Sequence, residues 1–155
     1  MTFKVTSTIL RLTLAAGCVA AALSASTAFV SATSARKGDL HVTKECSQYM
    51  GLAGQFCTIT YSNLRAIPRG SRVYYDQAAG IPDGLLDSNV ILDAGHGNRA
   101  VGRCTLDLTT YLGVCTFSAG TGVLSGFHAS VDVSFRDGQF AWDGSYRFKS
   151  QSDSR

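Results

Sequence analysis

Apolar and polar residues alternate along much of the chain downstream of residue 35, and this period of two predicts β-strands. The segment FHASVDVSFR (127–136) carries an apolar side chain at every odd position and a polar or charged side chain between them. The segment QFAWDGSYRF (139–148) repeats aromatic residues with the same spacing. An Asp-Gly pair separates the two segments and is a strong signal for a tight turn. We therefore predict a β-hairpin with one apolar face and one solvated face.

Eight segments in all carry strand-like patterns, and short turn-like segments separate them. Downstream of residue 35 the strand formers Tyr, Phe, Val and Thr are plentiful, whereas only one Glu and three Lys occur there. We predict an all-β protein and favour an eight-stranded antiparallel barrel over a sandwich, because closure removes exposed strand edges. The predicted strands are 39–44, 56–62, 71–78, 89–93, 100–107, 111–117, 126–136 and 139–148.

The glycine-rich segment SAGTGVLSG (118–126) raises the question of a phosphate-binding loop. Such loops stand between a strand and a helix, whose N-terminus helps to bind the phosphate. Here the segment joins two predicted strands and contains no lysine. We therefore expect its glycines to supply positive φ angles and close backbone approach at a corner of the barrel.

The first 35 residues have the layout of a secretory signal peptide. Lys4 and Arg11 flank a short start, residues 12–23 are almost entirely apolar or small, and small residues follow. A transmembrane anchor needs about 20 apolar residues, and serines interrupt this run too early. We predict that residues 1–35 are removed, that residues 36–155 form the barrel domain, and that the mature protein is secreted. The candidate cleavage sites follow Ala28, Ala32 and Ala35.

A loose lipoprotein box ending in Cys18 is the alternative for the same segment, and it would anchor the protein through a lipid on that cysteine. Leucine is missing three residues before Cys18, and the apolar run continues beyond it. Cleavage without lipidation is therefore the favoured prediction.

The charge of the mature chain is nearly balanced. Removing Lys4 and Arg11 from the 14 Lys and Arg of the chain leaves 12, against 11 Asp and Glu. Nucleic-acid-binding domains carry basic stripes, and no run of like charge occurs here. We expect no nucleic-acid partner.

Four cysteines remain after the predicted cleavage: Cys46, Cys57, Cys104 and Cys115. An even number of cysteines in a small exported chain indicates disulfides. Close CxxC pairs of the zinc-binding kind are missing, and ten residues stand between the members of each pair. Among the three connectivities that four cysteines allow, the repeated spacing favours Cys46–Cys57 and Cys104–Cys115, each closing a hairpin.

A resemblance to a known family begins at the glycine-rich corner. The segment TYLGVCTFSAGTGVLSGFHASVDV (110–133), followed by WDGSYRF (142–148), resembles the allene oxide cyclase barrel superfamily, which includes the dirigent proteins. Gly120-Thr121-Gly122 and the small-residue strand after Gly126 stand at the matching places, with Ala119 where the pattern has glycine. The resemblance is good over 100–148 and weaker over 39–93, where VYYDQAAG (73–80) is its best part.

The resemblance implies an eight-stranded barrel with a central cavity that binds a small hydrophobic molecule and cyclises it or steers its coupling by shape, without a metal or an organic cofactor. Plant members form trimers, which leaves a homo-oligomer open. Export and disulfides depart from the plant cyclases, and the acidic and basic pocket residues of dirigent proteins have no clear counterparts in this sequence.

Two functional classes therefore stay open. One is an exported barrel that binds a small hydrophobic ligand, as a cyclase or a dirigent-like coupling guide that acts by shape. The other is a non-catalytic secreted binding or inhibitor protein held by two disulfides. A hollow barrel with a few converging polar groups would favour the first class, and a filled interior would favour the second.

Tyr74 and Asp76 are the weak catalytic candidates. Alternation places them on one side of their strand and Tyr75 on the other. If Tyr74 and Asp76 face the interior, burial would raise the carboxyl pKa and create an acid/base group. In the alternative, Tyr75 packs inside with Val73 and Asp76 is solvated. The aromatic residues predicted to line a ligand cavity are Tyr74, Phe127, Trp142 and Tyr146.

Three histidines, His41, His96 and His128, could in principle provide a zinc site. They fall on a strand, a turn and the solvated side of another strand. We expect no metal site from this arrangement.

Overall fold

The computed structural model describes residues 36–80 and 84–149, and the predicted signal segment with Cys18 lies outside them. Eight strands form a closed antiparallel barrel in which each strand pairs with the next and β8 pairs with β1. The predicted eight-stranded barrel is therefore confirmed. The strands are β1 Lys37–Glu45, β2 Phe56–Ser62, β3 Arg72–Tyr75, β4 Leu85–Asp93, β5 Arg99–Asp107, β6 Gly113–Gly120, β7 Phe127–Arg136 and β8 Gln139–Phe148.

The predicted strand segments agree with the structure except at some ends. The predicted strand 71–78 ends early, at Tyr75, because the backbone N–H of Gln77 then bonds to the Ser88 hydroxyl instead of continuing the ladder. The predicted strand 89–93 begins earlier, at Leu85, because Leu86 and Ser88 continue its inward-facing series. The predicted strand 111–117 is shifted to Gly113–Gly120.

The two ends of the barrel differ. We call the end at which β1 finishes and β2 begins the open end, and the opposite end the closed end. Aromatic side chains fill the closed half, with ring centroids 5.4 Å apart for Phe117 and Trp142 and 5.4 Å apart for Phe127 and Phe148. Three buried loop residues add to the packing there: Leu64, Ile67 and Leu124.

The glycine-rich segment forms a corner of the closed end, and a single 3-10 turn, Gly122–Leu124, is the helical structure it contains. Gly122 and Gly126 adopt positive φ angles of 59° and 73°. Gly120 has an ordinary φ, but a Cβ there would collide with the Leu124 carbonyl oxygen. Backbone geometry therefore explains all three glycines.

Replacing Gly126 by Ala should destabilise the barrel more than replacing Gly97 by Ala. Both glycines have positive φ, where a Cβ is penalised by about 1–2 kcal/mol. Only at Gly126 would the new Cβ also meet a backbone atom, the Lys149 carbonyl oxygen, whereas nothing lies within 4 Å at Gly97. We expect a further loss of about 1 kcal/mol or more for Gly126→Ala in urea unfolding, with or without phosphate. Equal losses for the two variants would contradict this account of the corner.

Candidate functional site

A cavity of about 350 Å³ opens at the open end of the barrel. Its wall is mostly apolar, and strands from opposite sides of the barrel contribute to it. The barrel is therefore filled in one half and hollow in the other. The lining residues that matter most below are Lys44, Tyr49, Tyr75, Leu108, Tyr111 and Phe140.

Lys44 lies inside the barrel, near the end of β1. Strand alternation places it on the same face as Leu40 and Val42, and all three side chains are buried. The Lys44 Nζ donates a hydrogen bond of 2.5 Å to the Tyr75 hydroxyl oxygen. It also lies 4.4 Å from the centre of the Trp142 ring. An amine thus stands where the hollow half of the barrel meets the packed half.

No carboxylate compensates the charge of Lys44 within residues 36–80 and 84–149. It is the single charged residue among the buried side chains of that part of the chain, and none of the ion pairs found there includes it. Burial lowers the pKa of Lys44 from its ordinary value of 10.5 to about 7. The contact with the Trp142 ring favours the charged form, but removal from water outweighs it. Near neutral pH a large share of the amine is therefore neutral.

Tyr75 is the second polar group at the inner end of the cavity. It is buried at the end of β3, on the same face as Val73. Burial, and to a lesser degree the neighbouring Tyr49, raise the pKa of Tyr75 well above its usual range. Its hydroxyl therefore stays protonated and can accept from, or donate to, the Lys44 nitrogen.

Tyr49 comes from the β1–β2 loop and covers Tyr75, with ring centroids 4.7 Å apart. Two backbone hydrogen bonds hold the loop there, from the Gly54 N–H to the Tyr75 carbonyl and from the Tyr75 N–H to the Gln55 carbonyl. The Tyr49 hydroxyl is buried and has no hydrogen-bond partner among the described residues. Tyr49 is also one of the residues that line the cavity.

Two disulfides lie in the wall of the cavity. Cys104 and Cys115 face each other directly across β5 and β6, and Cys46 joins Cys57 at the base of the β1–β2 loop. The structure thus confirms the predicted pairing, with each bridge closing a hairpin. Both bridges lie at the open end.

Aromatic side chains surround the entrance. Tyr111 contacts Phe135 and Phe140, with ring centroids 5.3 Å and 6.0 Å away, and Phe135 contacts Phe140 at 4.9 Å. Tyr111 holds its ring there from a left-handed backbone with φ of 56°, which is unusual for a bulky residue. Exposed apolar side chains also occur in the two loops that line the entrance: Met50, Leu52 and Leu112. The approach to the cavity is thus largely apolar.

The weak catalytic candidates, Tyr74 and Asp76, lie outside the barrel. The Tyr74 hydroxyl accepts a hydrogen bond of 3.4 Å from Arg72, its ring lies 5.3 Å from that of Phe56, and Asp76 is exposed. This arrangement corresponds to the alternative in which Tyr75 packs inside and Asp76 is solvated. The physical reason is that Val73 and Tyr75 share the buried face of a short strand.

The other predicted ligand-binding residues belong to the closed half of the barrel. Phe127 and Trp142 are completely buried, and Tyr146 is half-buried with its ring stacked 6.5 Å from Phe127. Trp142 does not line the cavity but lies beside the Lys44 amine, and its indole N–H has no partner among the described residues. Lys44, by contrast, was not among the predicted site residues, although its place in the alternation of β1 was visible in the sequence.

The three histidines occupy separate surface positions. The Nδ1 atom of His41 lies 2.9 Å from a carboxylate oxygen of Asp143, and Asp143 also accepts a hydrogen bond of 2.7 Å from Arg136. Burial, with smaller effects of Lys149 and Arg147, lowers the pKa of His128. No group of three or more metal-ligating side chains occurs in the part of the chain that the structure describes.

Within residues 36–80 and 84–149, no helix is long and apolar enough to span a membrane.

Comparison of the chain with models of protein families, with curated proteins and with solved structures finds no significant match. The cavity and the polar groups at its inner end are therefore the features from which a function can be inferred.

Proposed function

We propose that this protein binds a small, mainly apolar molecule in the cavity at the open end of the barrel, with the polar head of that molecule at Lys44 and Tyr75. The observation that carries the proposal is an apolar cavity with an amine and a phenol converging at its inner end. Ligand sites generally combine an apolar wall with a few placed polar groups that fix orientation.

The size of the cavity and the nature of its entrance support the proposal. A volume of about 350 Å³ lies at the small end of the range usual for ligand sites, about 300–1,000 Å³. Aromatic side chains at the entrance, Tyr111 and Phe135 among them, provide apolar surface along which an apolar molecule can enter. Two disulfides cross-link the wall of the cavity without occupying its interior.

The proposed setting follows from the sequence. The signal-like segment and the disulfides favour a secreted protein, and the glycine-rich corner favours kinship with the allene oxide cyclase barrels. A protein of that kind could hold a ligand in a reactive conformation by shape. Binding is the common requirement of a carrier, a cyclase and a coupling guide, and it is the function we assign.

Titration with the neutral fluorescent dye N-phenylnaphthylamine tests the assignment. Leu108 lines the cavity and is only partly buried, so Leu108→Trp should fill the entrance with little strain on the core. Val114 lies on the outer face of β6, and Val114→Trp adds the same side chain outside the cavity. We expect the first variant to bind the dye at least about tenfold more weakly, which corresponds to about 1.4 kcal/mol, and the second to bind it like the unmodified protein.

Equal binding by both variants would place the dye elsewhere on the protein and contradict the assignment. Thermal unfolding of both variants checks that each remains folded at the temperature of the titration.

A further inference from the structure

We propose that Lys44 forms a reversible imine with an aldehyde or ketone group of the ligand, an inference that rests on the proposed binding function. It specifies the polar head of the ligand as a carbonyl group. The neutral, apolar part of the molecule would occupy the outer part of the cavity, between Tyr111, Phe140 and Leu108.

The surroundings of Lys44 favour the nucleophilic form of its amine. An amine attacks a carbonyl only through a free lone pair, and burial in an apolar pocket is one way in which proteins keep a lysine neutral. The groups that surround its nitrogen are the hydroxyl of Tyr75 and the rings of Trp142 and Phe140. None of these is an anion that would hold the amine as an ammonium ion, and the described inner wall contains no carboxylate.

The reaction balances with residues of the site as proton carriers. The Lys44 nitrogen attacks the carbonyl carbon, a C–N bond forms, and the carbonyl electron pair moves to the oxygen, which takes a proton. Loss of one proton from nitrogen gives the neutral carbinolamine. Its hydroxyl takes a second proton and departs as water, which leaves a protonated C=N bond, and loss of the remaining nitrogen proton gives the imine. One amine and one carbonyl thus give one imine and one water, without an oxidant or a reductant.

Tyr75 and Tyr49 are placed to assist these proton movements. The Tyr75 hydroxyl is hydrogen-bonded to the attacking nitrogen and can give a proton to the departing hydroxyl and recover one from nitrogen. The Tyr49 ring packs against the Tyr75 ring and lines the cavity, and its hydroxyl has no partner among the described residues, so we assign to it a hydrogen bond to the carbonyl oxygen. Both phenols keep their protons, since burial raises the pKa of each.

Reductive trapping tests the inference on the mature protein. We would incubate it with cinnamaldehyde and sodium cyanoborohydride, which reduces an imine to a stable secondary amine, and locate the adduct by peptide mass mapping. We expect one saturable adduct at Lys44, suppressed by excess cinnamyl alcohol, which has the same carbon skeleton but cannot form an imine. Lys44→Met and Lys44→Arg should each reduce the adduct at least about tenfold, whereas the surface variant Lys37→Met should leave it unchanged.

Each other outcome overturns the inference in a distinguishable way. Adducts spread over exposed lysines such as Lys37 and Lys149, and unchanged in Lys44→Met, would show that the barrel does not direct the reaction. Displacement of the dye by both cinnamaldehyde and cinnamyl alcohol without an adduct would disprove the imine and leave the binding function standing. Displacement of the dye by anionic cinnamate alone, again without an adduct, would show that Lys44 binds a carboxylate as an ammonium ion. Failure of dye and aldehyde alike to bind would reject the proposed function itself.

Discussion

The variant Lys44→Met should be more stable than the unmodified protein at neutral pH, and its stability should change much less between about pH 7 and pH 9. The unfolded chain binds a proton at Lys44 up to its ordinary pKa of 10.5, whereas the folded chain releases it above about 7. Between these two values the unfolded state carries more protons, so the stability of the unmodified protein rises with pH. Below about pH 7 the folded chain holds Lys44 as a buried ammonium ion, so its stability is reduced by the full cost of burying that charge.

The expected size is large for a single side chain. Each pKa unit corresponds to about 1.4 kcal/mol, so the complete shift corresponds to about 5 kcal/mol and the interval from about pH 7 to pH 9 to roughly 2–3 kcal/mol. Loss of the Lys44 partner leaves the Tyr75 hydroxyl unsatisfied, which costs about 1–3 kcal/mol. The double variant Lys44→Met/Tyr75→Phe removes that cost, so we expect it to be more stable than the single variant Lys44→Met.

Urea unfolding at several pH values between about 6 and 9 measures the effect. Tyr75 has a raised pKa, so its contribution is present at lower pH and is lost only as the pH rises past the ordinary tyrosine value of 10.0, outside this interval. Lys37→Met, on the exposed part of β1, is the matched control and should show the same pH dependence as the unmodified protein. If the free energy of unfolding of Lys44→Met rises with pH as steeply as that of the unmodified protein, Lys44 is not buried as a largely neutral amine.

The strands and their faces could be predicted because each depends on a short stretch of sequence. Alternation alone gave the bounds of β2 and β8 and the burial of Phe127 and Val131 on one face of β7. The bounds were less accurate for β3, because a side-chain hydrogen bond, from Gln77 to Ser88, replaces the ladder at its end. This hydrogen bond joins residues 11 positions apart, so no pattern within a short stretch of sequence indicates it.

The candidate site was harder to predict because its parts come from distant positions in the chain. Lys44, Tyr75 and Tyr111 meet only once β1, β3 and the β5–β6 loop are placed around the barrel. Alternation places Lys44 on the inward face of β1, but a lysine at the end of a strand usually extends its amine into water, so burial of the amine itself could not be predicted. The choice between a hollow and a filled barrel likewise depends on how large and small side chains are distributed between its two ends.

Replacing either disulfide by a pair of alanines should lower the free energy of unfolding by about 3 kcal/mol. Each bridge joins residues 11 positions apart, and the loss of chain entropy that such a loop imposes on the unfolded state gives this value. Because the loops have equal length and do not overlap, removing both bridges should cost roughly 6 kcal/mol. That loss is comparable with the whole stability of a small domain, about 5–15 kcal/mol. The variant that lacks both disulfides should therefore be marginally stable or unfolded.

The two bridges should differ in their effect on ligand binding, although they are equal in loop length. Cys104 and Cys115 join residues that are already paired in the sheet, whereas the Cys46–Cys57 bridge closes the loop that carries Tyr49 over the cavity. We expect Cys46→Ala/Cys57→Ala to weaken binding of N-phenylnaphthylamine several-fold and Cys104→Ala/Cys115→Ala to change it much less. Mass mapping without reduction would first verify the pairing in the purified protein, and urea unfolding would give the stabilities. If the two double variants bind the dye equally well, the Cys46–Cys57 bridge is not needed to hold Tyr49 over the cavity, and the backbone hydrogen bonds from Gly54 and to Gln55 are sufficient to place the loop.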